Sequence, residues 1–243
     1  MVLVVAHRGF SAEFPENTNP AFQAALACPI DGIETDLQLS ADEQVWVFHD
    51  RSLAKVGMPS RCLHHLTSEV LSQLDVGLWK DSKFKATPML QLDSLLDRIG
   101  TKTRILLEIK VRESGERLQL LGDKVAQAVA THQAFERHEI LCFDLDLLRY
   151  LKNRYPQLRC VLNTEMDITA SLKDEDWQAL HAVSFRIEAA SIEAVKACHQ
   201  RGKLVYGYTC NQEDQLRHAL AVGIDLLMSD SPPWLIRALG VDS

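Results

Sequence analysis

Apolar residues arrive along this chain in short runs that alternate with longer amphipathic stretches. Val2-Leu3-Val4-Val5-Ala6 is a β-branched run ending at His7-Arg8-Gly9, and it reads as a strand buried on both faces. A polar loop with Pro15, Asn17 and Thr18 follows. Pro20 then opens a helix to about Ala27, with apolar residues at helical spacing. Gly32 to Leu39 reads as a second strand. Only residues 40–44 separate it from Val45-Trp46-Val47-Phe48-His49-Asp50. A parallel crossover needs about a dozen residues or more, so the return is an antiparallel hairpin. That hairpin folds His49 back to the level of Glu34 and Asp36.

Residues 51 to about 90 break this rhythm with Gly57, Pro59, Gly77, Pro88 and one short helical piece, Thr67 to Leu74. They read as an excursion from the main fold. The excursion carries six basic residues (Arg51, Lys55, Arg61, Lys80, Lys83, Lys85) against three acidic ones (Glu69, Asp75, Asp81). That balance suits a solvated loop or a basic rim over an anion site. From the helix Leu92–Ile99 onward the alternation is regular. Strands are expected at 103–109, 139–143, 159–163, 182–185, 204–208 and 225–229. Helices fill the intervals at 115–135, 144–154, 174–180, 191–200 and 211–221, and a last one spans 233–239. Such alternation builds a parallel sheet. Leaving the hairpin return aside, the strands number eight in 243 residues. The expected fold is therefore an α/β, TIM-type (β/α)8 barrel. It forms a single domain over 1–243, with a small insertion at about 51–90 after the second-strand hairpin.

Composition acts mainly by exclusion. The chain is 47% hydrophobic and 24% charged, ordinary for a globular protein. With 26 Lys+Arg against 33 Asp+Glu its net charge is −7, which argues against nucleic-acid binding by bulk charge. No apolar stretch approaches the ~20 residues of a membrane span, so stable membrane insertion is not expected. The apolar run at 2–6 is too short for a signal peptide and lacks its basic flank. The six cysteines form no CxxC pair, and several lie inside apolar runs. A reducing, cytoplasmic compartment fits that pattern better than a disulfide framework.

Barrel sites form where strands end, on the C-terminal face. There the first half of this chain supplies His7, Arg8, Glu34, Asp36, Glu108 and Lys110, with His49 on the hairpin return. Glu34 and Asp36 are two residues apart on one strand and so share a face. Glu108 and Lys110 share a face with Leu106, which points into the barrel. Two like charges on an apolar strand are tolerated mainly where a cation or a proton sits between them. Three oxygen ligands without a nearby cysteine suit a hard cation, Mg²⁺ or Ca²⁺. His7 and His49 form a candidate acid–base couple, because imidazole titrates near ~6.5. A dication with an arginine, a lysine and two histidines suits a phosphate ester. The other histidines show no such pattern and read as surface or structural residues.

In order, the motifs are His7-Arg8-Gly9, Pro15-Glu16-Asn17-Thr18, Glu34-x-Asp36, His49-Asp50, Glu108-Ile109-Lys110 and Ser229-Asp230-x-Pro232. This set resembles the glycerophosphodiester phosphodiesterase family from residue 4 to about 236. The resemblance implies a TIM-type barrel with a small insertion after the His-Asp pair. It also implies hydrolysis of glycerophosphocholine, glycerophosphoethanolamine and similar diesters to sn-glycerol 3-phosphate and an alcohol. By the same resemblance His7 and His49 are the general acid and base, and Glu34, Asp36 and Glu108 the divalent-metal ligands. Arg8 and Lys110 are the phosphate contacts. Asn17 reads as a cap for the first helix. Tyr208 stands where many relatives carry a tryptophan, keeping an aromatic wall of different shape beside the substrate. Leu53-Ala54-Lys55-Val56-Gly57 and Thr87-Pro88-Met89-Leu90 also depart from the family pattern, and they bear on the choice of alcohol.

Two other readings stand beside this one. A phospholipase-like enzyme on intact lipids would share the paired histidines, but it fits poorly with the acidic net charge and the lack of an interfacial helix. A catalytically inactive anion-binding barrel would be expected to have lost at least one of His7, His49, Glu34, Asp36 or Glu108, and all five are present.

Overall fold

Eight parallel strands close on themselves in the computed structural model, which describes residues 2–99 and 103–240. In chain order the strands are β1 (Leu3–His7), β2 (Gly32–Leu39), β3 (Val45–Val47), β4 (Arg104–Ile109) and β5 (Glu139–Cys142). β6 (Arg159–Thr164), β7 (Leu180–Arg186), β8 (Leu204–Tyr208) and β9 (Leu226–Ser229) complete the set. β1 pairs with β9 on one side and β2 on the other, which closes the TIM-type barrel. β3 lies outside the ring as the antiparallel partner of β2, with Leu37 opposite Val47 and Leu39 opposite Val45. The outermost residues of the expected domain, 1 and 241–243, lie outside the described residues.

Helices run between the strands: α1 (Asn19–Leu26), α2 (Ser68–Leu71), α3 (Leu92–Ile99), α4 (Gly115–Thr131), α5 (Leu145–Arg154), α6 (Asp174–Ala179), α7 (Ile192–Gln200), α8 (Glu213–Val222) and α9 (Pro232–Ala238). Several boundaries differ from the sequence expectation. α1 starts at Asn19, capped by the Thr18 hydroxyl, which accepts from the Ala21 amide. α4 stops at Thr131, four residues before the expected 135, where Gln133 takes a left-handed φ of 50°. α6 passes into β7 without a loop, so β7 begins at Leu180, two residues before the expected 182.

Two apolar layers follow from strand alternation. Outward residues such as Ile33, Leu37, Leu107 and Ile109 pack against the helices in the main core. Inward residues Val5, Leu106, Leu141, Val161, Ala182 and Tyr206 fill the barrel. All eight residues of β2 are buried, so its inward Glu34 and Asp36 sit in the barrel interior rather than on an open face. β3 divides by the same period of two: Val45 and Val47 join the main core, while Trp46 and Phe48 join Leu53, Leu63, Leu71, Val76 and Met89. This satellite core holds segment 51–90 against the barrel mouth, beside His49.

Gly9 sets how closely β1 and α1 approach. It has φ +80°, and a Cβ there would lie 2.6 Å from the Ala21 carbonyl carbon. Gly57 has nearly the same φ, +81°, with nothing within 4 Å of a Cβ. Gly57→Ala should therefore cost only the left-handed backbone penalty, about 1–2 kcal/mol. Gly9→Ala should cost clearly more, because the main chain of α1 must also move. Urea unfolding followed by circular dichroism checks the pair. Equal losses would show that the β1–α1 contact yields freely.

Candidate active site

Strand register assembles the site. β1 sets His7 beside Glu34, and β4 sets Glu108 beside Asp36. One carboxylate oxygen each from Glu34, Asp36 and Glu108 lies within 4.8 Å of the others, and all three residues are buried. Glu34 Oε1 is buried without a hydrogen-bond partner among the described residues. A stranded buried acceptor costs about 1–3 kcal/mol, and an all-oxygen donor set of this kind can take a hard cation. The donor types and the orphaned oxygen thus fit such an ion.

Two cations brace the cluster. Arg8 Nε lies 3.0 Å from Asp36 Oδ2, and the Arg8 amide donates to Glu34 Oε2 at 3.1 Å. Lys110, just past β4, places Nζ 3.2 Å from Asp36 Oδ1 and donates to Glu108. Arg8 holds a left-handed φ of 57°. Asn17 at φ 59° donates from Nδ2 to Asp36 Oδ2 at 2.6 Å and accepts from the Thr35 hydroxyl at 2.8 Å. The capping role expected of Asn17 falls to Thr18 instead. Asn17 leaves the helix start because its amide is taken up by the carboxylate cluster.

Burial by itself raises a carboxyl pKa, and the three acids respond differently. Glu34 is pushed well up by burial and by the charges of Asp36 and Glu108. Glu108 moves up through burial and the charge of Asp36, against the pull of Lys110 and Arg8. At Asp36 burial also pushes upward, but Arg8 and Lys110 outweigh it and hold the group far below the ordinary carboxylate range.

Each histidine leans on a carboxylate. His7 Nδ1 donates to Asp230 Oδ1 at 2.6 Å, and Asp230 is held by Ser11 Oγ at 3.0 Å and Asn211 Nδ2 at 2.6 Å. Burial pushes the Asp230 carboxyl up, but the hydrogen bond and charge of His7, together with the hydrogen bonds from Ser11 and Asn211, outweigh it and bring the group down to about 2. His49 Nδ1 donates to Asp50 Oδ1 at 2.8 Å, and the Arg112 guanidinium donates to the His49 carbonyl at 2.8 Å. Burial, with Arg8 and Lys110, pushes His49 below its ordinary 6.5, against the pull of Asp36 and Asp50. In both histidines the carboxylate occupies Nδ1 and leaves Nε2 for chemistry.

Asp50 and Asp230 are the principal residues that sequence reasoning quoted without giving a role. Their only sequence signals are the His49-Asp50 dipeptide and the polar residue past β9. Lys55, noted only as basic, joins Asp50 (3.0 Å) to Glu16 (2.9 Å), and Glu16 accepts from Arg8 at 3.3 Å.

All eight sequence-nominated residues meet around one mouth. His7, Arg8, Glu34, His49, Glu108, Lys110 and Tyr208 line a cavity of about 520 Å³, and Asp36 lies beneath it, bonded to Arg8 and Lys110. Phe143, Asn163 and Glu165, at or just past the ends of β5 and β6, also line it. The Tyr208 hydroxyl donates to the Thr164 carbonyl at 3.0 Å, and its ring meets Phe143 edge-on at 6.3 Å.

The raised Glu34 has a stability consequence. Below its ordinary value of 4.5 it is protonated both folded and unfolded. Above that, the unfolded carboxyl ionises while the folded one resists, so stability falls as pH rises. In EDTA, Glu34→Gln should raise the melting temperature at neutral pH. The gain should fade as pH drops toward 4.5. Differential scanning fluorimetry across pH tests this, and a loss of stability in EDTA at neutral pH would contradict it.

A family model described as the glycerophosphoryl diester phosphodiesterase family matches residues 7–233. The chain is 28% identical over 244 residues to a glycerophosphodiester phosphodiesterase of Caldanaerobacter subterraneus subsp. tengcongensis, covering 97% of this chain and 96% of that one. It is 27% identical to a glycerophosphodiester phosphodiesterase of Bacillus altitudinis, covering 98% of each. Among solved structures, an Oleispira antarctica phosphodiesterase in complex with the product sn-glycerol-3-phosphate shares the fold. Its TM-score is 0.88 at 23% identity, covering 98% of this chain and 96% of that one.

Proposed function

The chain belongs to the glycerophosphoryl diester phosphodiesterase family, and on that premise we propose that it hydrolyses small glycerophosphodiesters, such as glycerophosphocholine and glycerophosphoethanolamine, to sn-glycerol 3-phosphate and an alcohol. The observation that carries this reading is that two carboxylate-braced histidines share one cavity with a buried cluster of three carboxylates and two cations. The product named for the Oleispira protein is the one proposed here. A cavity of about 520 Å³ suits a deacylated diester. No helix among the described residues is long and apolar enough to cross a membrane. The six free cysteines support a reducing, cytoplasmic setting.

Glu34, Asp36 and Glu108 would hold Mg²⁺ or Ca²⁺. When bound, such an ion polarises the phosphoryl oxygens. Charge supports this assignment. With all three carboxylates ionised as ligands, they and Arg8 and Lys110 sum to one negative charge, which a bound dication would turn to one positive, a sign that suits an anionic phosphodiester. Arg8 and Lys110 then orient the non-bridging oxygens. One histidine takes the proton from the attacking hydroxyl through Nε2, and the other delivers a proton to the departing alcohol oxygen. Asp230 and Asp50 hold the two rings in the tautomer each step needs. Tyr208 forms part of the wall beside the alcohol.

A coupled assay for glycerol 3-phosphate over a panel of glycerophosphodiesters tests the reading. EDTA should abolish turnover, and Mg²⁺ or Ca²⁺ should restore it; full activity after thorough chelation would assign the carboxylates another role. His7→Ala and His49→Ala should each lose about 10²–10⁴-fold in kcat/KM. A nitrophenyl ester, whose leaving group hardly needs a proton, should rescue whichever variant lacks the acid. If both variants keep near-wild-type rates on both substrates, the histidines are not the acid and base.

A further inference from the structure

Segment 51–90 carries a second constellation that the proposed reaction does not use. Residues 63–65 form one turn of 3₁₀ helix. Leu63 on that turn is fully buried in the satellite core, which fixes the turn's orientation. The turn is also tied to the β2–β3 hairpin, where the Ala41 amide donates to the Leu66 carbonyl at 2.8 Å. Cys62 caps this turn in an extended conformation, and its amide meets His65 Nδ1, so Cys62 and His65 lie together at the start of the turn with His64 adjacent. The His64 and His65 rings stand 4.2 Å apart between centroids, inclined at 69°. One ligand atom from each of Cys62, His64 and His65 lies within 4.8 Å of the others.

We propose that Cys62, His64 and His65 form a second metal site, which takes a borderline-soft divalent cation of the Zn²⁺ class. A tetrahedral ion with bonds of about 2.0–2.3 Å holds its ligand atoms roughly 3.3–3.8 Å apart. The three side chains therefore close on an ion by small rotamer shifts, with their backbone already in place. Cys62 and His64 are half-buried and His65 is exposed, so those shifts meet little packing resistance. The existing bond into this group is weak, the Cys62 amide donating to His65 Nδ1 at 3.3 Å. As the metal–sulfur bond forms, the Cys62 thiol gives its proton to solvent. A water completes the tetrahedron.

Ligand hardness separates the two sites. The buried oxygen cluster favours Mg²⁺ or Ca²⁺, and one thiolate with two imidazoles favours Zn²⁺ or Co²⁺. The inference does not depend on the hydrolytic reading, because none of its three residues lines the catalytic cavity.

The test is titration of the full chain with Co²⁺ under saturating Mg²⁺. One equivalent of Co²⁺ should produce a thiolate-to-cobalt charge-transfer band in the near ultraviolet, with tetrahedral d–d bands in the visible. Zn²⁺ should displace it with half-saturation at about 1 μM or tighter. Cys62→Ser should abolish the band, and His64→Ala and His65→Ala should weaken binding. Cys28→Ser, at the other half-buried thiol, should leave the band intact, as should Glu34→Gln. Absence of the band in the wild type, its survival in Cys62→Ser, or half-saturation only at millimolar metal would each overturn the proposal. Far-ultraviolet circular dichroism confirms that each variant is folded.

Discussion

Three carboxylates buried within 4.8 Å of one another are the constraint to which the rest of this barrel mouth answers. At an effective dielectric of about 20, each ionised pair at that separation costs roughly 3–4 kcal/mol before desolvation is counted. Arg8 and Lys110 reduce that cost from two strand ends, both through Asp36. Asp36 consequently stays ionised, while Glu34 is driven toward its protonated form. The backbone shows the same demand. Arg8 and Asn17 both take left-handed conformations, at φ 57° and 59°, and both direct side chains at Asp36. Such conformations persist only where the surroundings over-determine them. Here the Asn17 amide donates to the Arg8 carbonyl at 3.0 Å, which locks the two positions to each other.

Beneath the cluster the barrel is filled by Val5, Leu106, Leu141 and their neighbours, so the charged layer rests on an apolar floor. Low polarity there strengthens every charge interaction above it. The histidines differ in footing. His7 stands at the end of β1 and is braced by Asp230 past β9, the strand next to it in the ring. His49 stands just past β3, outside the ring, and depends on Asp50 and Arg112. A chain of charge contacts from Arg8 through Glu16 and Lys55 to Asp50 ties the two halves of the mouth together. Segment 51–90 thus supplies a cation in the frame that positions His49, as well as a cover beside the barrel. Two of its basic residues differ in placement: Lys55 pairs with Asp50 beside His49, while Lys83 pairs with Asp81 at the exposed surface.

Much of the architecture was legible in the chain itself. The two-residue period put Glu34 with Asp36, and Leu106 with Glu108 and Lys110, on common faces. The short span 40–44 allowed only an antiparallel return. The strand–helix alternation after residue 92 implied a parallel sheet. Each of these is a local property, carried within a segment a few residues long. Local rules also explain the misses. Asn17 and Thr18 are both good capping residues, and nothing within the loop says which one is needed elsewhere; the carboxylate cluster claims Asn17. The end of α4 turns on a single left-handed residue, Gln133, which no periodicity marks.

The partners of the site could not be read in this way. Asp230 reaches His7 across 223 positions, Arg112 reaches His49 across 63, and Lys55 reaches Glu16 across 39. Which strand ends become neighbours depends on closure of the ring through β1 and β9, and on the register at every pairing between. Cys62, His64 and His65 lie together in the sequence, yet only a 3₁₀ turn anchored by Leu63 brings their ligand atoms to one point. The sequence by itself determined the elements, their faces and the chemical types offered at strand ends, because helical and strand periods are written within each segment. The tertiary structure alone decided who braces whom, because that is fixed by the register between segments far apart in the chain.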